Sequence, residues 1–154
     1  MDRVAILTGM RIALGADHAG WELKTTIRGW LEEHGHEVED LGTDSGASVD
    51  YPDFARRVSR SVSGGTAERG VLVCGTGAGM AIAANRHPGV RAVNCIDPFT
   101  ARMARSHNDA NVLALGARVV GPGLALELLQ TFLEEPFAGG RHARRVELIE
   151  QETG

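Results

Sequence analysis

Cys74 stands at the end of an apolar run, Val71-Leu72-Val73, and is followed at once by Gly75-Thr76-Gly77-Ala78-Gly79. A thiol beside a tight turn that opens into a helix has backbone N–H groups around it, and such donors favour thiolate over thiol. Cys74 is therefore a candidate base or nucleophile. The same amides can hold an anion, either a phosphate or the oxygen of a developing enediolate. A buried structural cysteine followed by an ordinary turn fits this stretch equally well. The turn is not a Walker loop, because no Gly-Lys-Ser/Thr follows it. It is also a poor dinucleotide fingerprint, since it follows the third strand of the chain and Asn94, not an acid, stands at the end of the next.

Other reactive side chains are spread along the chain. Asp17 and His18 are adjacent, so they point in different directions and could orient two parts of one ligand, or serve as a helix-capping Asp with an incidental His. His107, beside Asn108, is either an acid/base group able to work near neutral pH or part of a polar helix end. Arg141 and Arg145 are four apart, which puts both guanidinium groups on one helical face and suits a phosphate monoester. The alternative for this pair is a solvated charged tail. Asp17, His18 and His107 have no metal-ligand spacing, so no metal is expected.

These residues need a scaffold, and hydrophobic periodicity supplies one. Arg11–Ala16 reads as a strand leading through Asp17-His18-Ala19-Gly20 into a helix on which Leu23, Ile27, Trp30 and Leu31 recur at helical spacing. Glu22, Lys24, Arg28, Glu32 and Glu33 fall mostly on its wet side. A half-exposed strand over 36–41 and a polar Gly/Asp/Ser loop lead to a helix opened by Tyr51-Pro52-Asp53, with Phe54, Val58 and Val62 as its buried stripe. After the third strand and an Ala-rich helix come a strand over 89–95 and a helix opened by Asp97-Pro98, which carries Met103 among many polar groups. A strand over 111–116 and a helix over 124–133 follow, and beyond the Gly139-Gly140 hinge a charged helix over 141–152. Five strands with continuous apolar runs, alternating with helices, imply an α/β, three-layer, Rossmann-like fold with a parallel sheet covered on both faces. Ligands in such folds gather at the carboxyl edge of the sheet, where Asp17-His18, Cys74–Gly79, Cys95–Asp97 and the turn after Gly116 are expected.

The chain of 154 residues suits one domain over 10–138 with a C-terminal arm and helix over 139–154; residues 1–9 read as an extension or alternative start. A net charge of -4 gives no case for nucleic acid. No run approaches the roughly 18 apolar residues that span a bilayer, and the first ten residues lack a signal-peptide pattern. Cys74 and Cys95 read as reduced thiols of a cytoplasmic protein. The last helix would be remote from the strand edge of its own subunit, so it is expected to reach a partner's site.

The ordered set Asp17-His18-Ala19-Gly20, Cys74–Gly79, Arg91-Ala92, His107-Asn108-Asp109-Ala110-Asn111 and Gly139-Gly140-Arg141-His142-x-x-Arg145 resembles the B-type ribose-5-phosphate isomerase family, which includes galactose-6-phosphate isomerase subunits. The resemblance covers about residues 10–150. It implies no cofactor, no metal, and a homodimer or dimer of dimers with sites at the subunit interface. Its pattern makes Cys74 the base that moves a proton between C1 and C2 of a phosphorylated aldose, ribose 5-phosphate by default. Thr76 and the amides of Gly75, Gly77, Ala78 and Gly79 would stabilise the enediolate, and His107 would assist ring opening. Asp17, His18 and Asn108 would bind hydroxyls, and Arg118, Arg141 and Arg145 would bind phosphate. One branch of the family uses a Glu just after the turn, but here that position is Met80, which accepts no proton. A tetrose 4-phosphate or hexose 6-phosphate isomerase, an inactive partner subunit and a non-catalytic phosphosugar-binding module are the alternatives.

Overall fold

The structure, a computed structural model, describes residues 9–153. The expectation for residues 1–9 therefore lies almost wholly outside the described residues. The elements run β1 (Arg11–Ala16), α1 (Trp21–Glu33), β2 (Glu37–Asp40), α2 (Tyr51–Ser63), β3 (Arg69–Cys74), α3 (Ala78–Ala84), β4 (Ala92–Asn94), α4 (Pro98–Asn108), β5 (Val112–Gly116), α5 (Pro122–Glu134) and α6 (Arg141–Thr153). Every strand pairing is parallel, in the order β2-β1-β3-β5-β4. The chain leaves β1 in one direction to make β2 and crosses back to add β3 on the other side. The gap between β1 and β3 is thus the switch point at which such sheets bind ligands.

Successive strand residues face opposite layers. Ile12, Leu14, Val71, Val73, Leu113 and Leu115 pack toward α1, α4 and α5. Ala13, Leu72, Cys74, Val112 and Ala114 pack toward α2 and α3. The expected stripes hold except at Trp30, which is half-buried against the core: Leu23, Ile27 and Leu31 on α1, Phe54, Val58 and Val62 on α2, and Leu128, Leu129, Phe132 and Leu133 on α5 are all buried. On the Ala-rich α3, Met80 and Ala84 face the core.

Three expectations need correction. Lys24 is not on the wet side of α1 but 2% exposed, because its ammonium bonds both carboxylate oxygens of Asp40 at 2.7 Å and so ties α1 to β2. Met103 is only half-buried; on α4 the core is met by Ala101, Ala104 and the charged Arg105, which lies beneath Asp109 Oδ1 (2.8 Å) and the Ala110 carbonyl (2.7 Å). β4 is only three residues long: the Arg91 carbonyl still accepts from Asn111 and Val112 N–H, but its own N–H goes to Asn111 Oδ1, and its side chain binds the Asn108 and Asp109 carbonyls and the Glu150 carboxylate. The last of these contacts joins α6 to its own chain, and α6 packs on α4.

His36 is buried with neither ring nitrogen hydrogen-bonded. Burial lowers its pKa, nearby His34 adds to the effect, and Glu68 opposes it. The unfolded chain therefore takes up a proton on this side chain at higher pH than the folded one does. Its neutral form is at no disadvantage above the unfolded value of about 6.5, and stability declines as pH falls from there toward the lower folded value. His36→Leu is expected to flatten urea-midpoint stability between pH 7 and 5, removing a slope of up to about 1.4 kcal/mol per pH unit. An unchanged pH dependence would refute this.

Candidate active site

Cys74 ends β3 on the α2/α3 side of the sheet and is 5% exposed. The chain then folds back sharply enough for the Gly77 N–H to donate to Cys74 Sγ at 3.1 Å. The turn thus places a backbone donor on the sulfur. Gly77 sits at φ +88°, and a Cβ there would lie 2.4 Å from Asn94 Oδ1. Only glycine fits. Thr76 is exposed, and its Oγ1 accepts from Ala78 N–H at 3.2 Å, which leaves the hydroxyl proton for a ligand. The amides of Gly77 and Ala78, expected to face an enediolate, are thus engaged by the turn's own side chains.

β1 and β5 bring their loops to the same edge. Asp17 is buried, and its Oδ1 accepts from the Ala19 and Gly20 amides at 3.0 and 3.2 Å. Asp17 thus closes the turn before α1 and is not its helix cap, which is Gly20 without a side-chain bond. His18 Nδ1 accepts from Val49 N–H at 3.2 Å, which assigns its proton to Nε2 and ties the 42–50 loop to the site. Ala117 and Arg118 N–H groups donate to Cys74 and Gly75 carbonyls at 2.8 and 3.0 Å, and the Arg118 guanidinium lies over Gly75, Nη1 being 3.5 Å from where a Cβ would stand. Asp17, His18, Cys74, Gly75–Gly79 and Arg118 therefore converge.

The remaining candidates do not join them. α4 starts beyond β4 at the carboxyl edge and runs back, so His107 and Asn108 lie at the amino edge, just before Val112, which pairs with Gly70. Gly70 and Cys74 are four strand residues apart, so about 13 Å of sheet separates the two sets. His107 stacks on His142 of α6 with ring centroids 4.2 Å apart and 8° between planes. Burial, then His107, Arg141 and Arg145, lower the His142 pKa; Arg141 precedes His142 and Arg145 stands three residues on along α6, so both arginines belong to this second cluster. A hollow of about 300 Å³ opens there, lined in part by Asn85, Arg91, Asn108, Ile149 and Glu150. A hollow of similar size, about 290 Å³, lies between α1 and α5, lined by Glu22, Thr26 and Pro122 among others, and includes none of the candidates.

Cys95 and Asp97 reach the carboxyl edge but are used structurally. Cys95 is fully buried, and burial followed by Asp97 pushes its thiol up to about 12. Asp97 caps α4, accepting from Thr100 Oγ1 and N–H, both at 2.7 Å, and these bonds hold its carboxyl below the usual range. Sequence reasoning assigned no role to Tyr51 or His142. The Tyr51 ring lies against Gly79, with Cε1 2.7 Å from where a Cβ would stand, and so walls the turn. Its position opening a helix after the polar loop carried no such signal. His142 was part of a recognised motif, but its partner His107 is 35 residues away in the chain. Among the described residues no three His, Cys, Asp or Glu side chains gather as metal ligands would, and no helix is long and apolar enough to cross a membrane.

Residues 12–149 match the model of a family described as Ribose/Galactose Isomerase. The chain belongs to that family. Within the ribose/galactose isomerases it is 49% identical over 139 residues to ribose-5-phosphate isomerase B of Escherichia coli (strain K12), covering 90% of this chain and 93% of that one. It is 45% identical over 141 residues to D-erythrulose-4-phosphate isomerase of Pectobacterium atrosepticum, with 91% and 93% covered. The solved structure of Clostridium thermocellum ribose-5-phosphate isomerase B superposes with a TM-score of 0.92 at 51% identity, covering 93% of this chain and 97% of that one. The protein is a sugar-phosphate isomerase with the Rossmann-like sheet of its family.

Proposed function

We propose that the protein interconverts ribose 5-phosphate and ribulose 5-phosphate, with Cys74 as the base. The supporting observation is Cys74 Sγ held 3.1 Å from the Gly77 amide at the switch point, beside Thr76, Asp17, His18 and Arg118. In the open-chain aldose the Cys74 thiolate takes the C2 proton. The C2–H electrons form the C1–C2 double bond, and negative charge moves onto O1 beside the Thr76 hydroxyl and the turn. O1 then gains a proton, O2 loses one, and the thiol returns its proton to C1 to give the ketose. A single base serving both carbons and a donor-lined cradle for the oxyanion are what this reaction requires.

His107, Asn108, Arg141 and Arg145 enter as the second half of a site completed by another copy of the chain. Their place about 13 Å along the sheet from Cys74 supports this, since one chain cannot bring both halves onto one small sugar. In a two-fold dimer each site would combine one carboxyl edge with the partner's amino edge. His107 then serves ring opening and the two arginines join the phosphate. Two unpaired cysteines support a reducing cytoplasmic setting.

Mixing tests the shared site. Cys74→Ala and His107→Ala/Arg141→Ala proteins are each expected to be inactive alone. After co-refolding, about a quarter of wild-type activity is expected, because half the dimers are mixed and each holds one intact site. Mixed dimers, isolated by two affinity tags, that show no activity would reject the two-chain site. A tetrose substrate is the second reading, favoured by the 45% identity to the erythrulose-4-phosphate enzyme. A coupled assay comparing kcat/KM for tetrose, pentose and hexose phosphates decides among the sugars, and binding without turnover of any would favour the non-catalytic module.

A further inference from the structure

Asn94, the last residue of β4, has no role in the chemistry described so far, yet its side-chain amide straddles the catalytic turn. Nδ2 donates to the Thr76 carbonyl at 3.2 Å, and Oδ1 faces Gly77 where a Cβ would otherwise stand. Oδ1 is buried and has no hydrogen-bond partner. A strand end packed only for cohesion would carry an apolar side chain here and leave no acceptor unsatisfied. What the amide supplies is an orientation. Thr76 C=O and Gly77 N–H belong to one planar trans peptide, so they point in opposite directions. With the carbonyl held toward Asn94, the N–H is aimed at Cys74 Sγ, 3.1 Å away. Rotation of this peptide would break both bonds together.

We infer that Asn94 is a positioning residue: it fixes the Thr76–Gly77 peptide so that the Gly77 amide stays aimed at the Cys74 sulfur. Its effect on turnover rests on the reading of Cys74 as base, but its effect on the thiol does not. Asn94 reaches the sulfur only through the intervening peptide and does not touch the reacting atoms. The strand end itself is anchored independently by backbone pairing of Asn94 with Ala114. Replacement of the side chain therefore leaves β4 in place.

The test titrates the Cys74 thiol directly. In a Cys95→Ala background Cys74 is the only thiol, and its ionisation is read from ultraviolet thiolate absorbance across pH. Asn94→Val, strand-favouring and without a donor, is expected to raise the Cys74 pKa by about one unit, a tenfold loss of thiolate at pH below both values. The acid limb of kcat is expected to move upward by the same amount, with KM within about twofold. Asn94→Leu, close to asparagine in size and without a donor or a charge, is expected to raise the pKa as far, and it serves if the valine protein does not fold. A purely packing role would leave the leucine variant's thiol unmoved. A thiol titration unchanged in the folded variants overturns the inference. A thiol that shifts while the kcat limb stays still supports the Asn94 linkage and rejects Cys74 as the base.

Discussion

Replacing Cys74 by alanine is expected to abolish exchange of the substrate C2 proton with solvent and to lower kcat by roughly 10² to 10⁴-fold, the range in which removal of a positioned general base falls. The structure offers no substitute base inside the turn. Met80, which follows it, is fully buried and has no proton-accepting group at neutral pH. Cys95 lies in the other packing layer, with its thiol pushed up to about 12. Cys74→Ser is expected to be nearly as inactive, because a hydroxyl in the same place is far too weak an acid to be deprotonated by one amide contact. Loss of the sulfur leaves a small gap and an unpaired Gly77 N–H, so circular dichroism is expected to change little while about 1–3 kcal/mol of stability is lost. The measurement is loss of deuterium from C2-labelled sugar phosphate, followed by NMR. Retained exchange in the alanine protein would remove sulfur from the mechanism and leave the glycine turn as an anion cradle alone.

The second large effect is on stability. Lys24→Ala is expected to cost about 1–3 kcal/mol, because it removes the main partner of a mostly buried carboxylate and leaves that group to Arg28 and the Gly42 amide. At this chain length that corresponds to a thermal midpoint lower by roughly 2–12 °C. The Lys24 side chain is 3% exposed and the Asp40 side chain 12%, and the pair is backed by Arg28 at 3.0 Å and the Gly42 amide at 3.0 Å. Burial pushes the Asp40 carboxyl up, but the Lys24 bond, the Gly42 amide, the Lys24 charge and Arg28 together outweigh it and hold the carboxyl below its ordinary value. The folded pKa is therefore the lower of the two. Its contribution to stability is fully present above about pH 4, the unfolded carboxylate value, and is lost as pH falls through the folded value. Lys24→Ala is expected to shrink this acid loss, and the further change Asp40→Ala to recover part of the stability, because it removes a carboxylate left with only Arg28 and the Gly42 amide. Equal thermal midpoints for wild type and Lys24→Ala would show that the pair is not a structural tie.

Elements and their edges were legible because they are written in local pattern. Apolar residues at helical spacing on α1, α2 and α5, and apolar runs ended by glycine turns, fix which segments are helix and strand whatever lies far away in the chain. Parallel order then puts Asp17, His18, Cys74 and Arg118 at the same edge without further information. Lys24 was misplaced because a charged residue on a helix looks solvated until its partner, sixteen residues along, is folded against it. Asn94 over Gly77, Tyr51 over Gly79 and His142 on His107 are likewise contacts between segments with no common periodicity, so nothing local announces them. Composition and spacing by themselves determined the parallel α/β scaffold and a thiol at its ligand-binding edge. Only tertiary structure decided that Asn94 closes over Gly77 and that His142 stacks on His107, because those contacts depend on how far separate segments approach once the layers are packed.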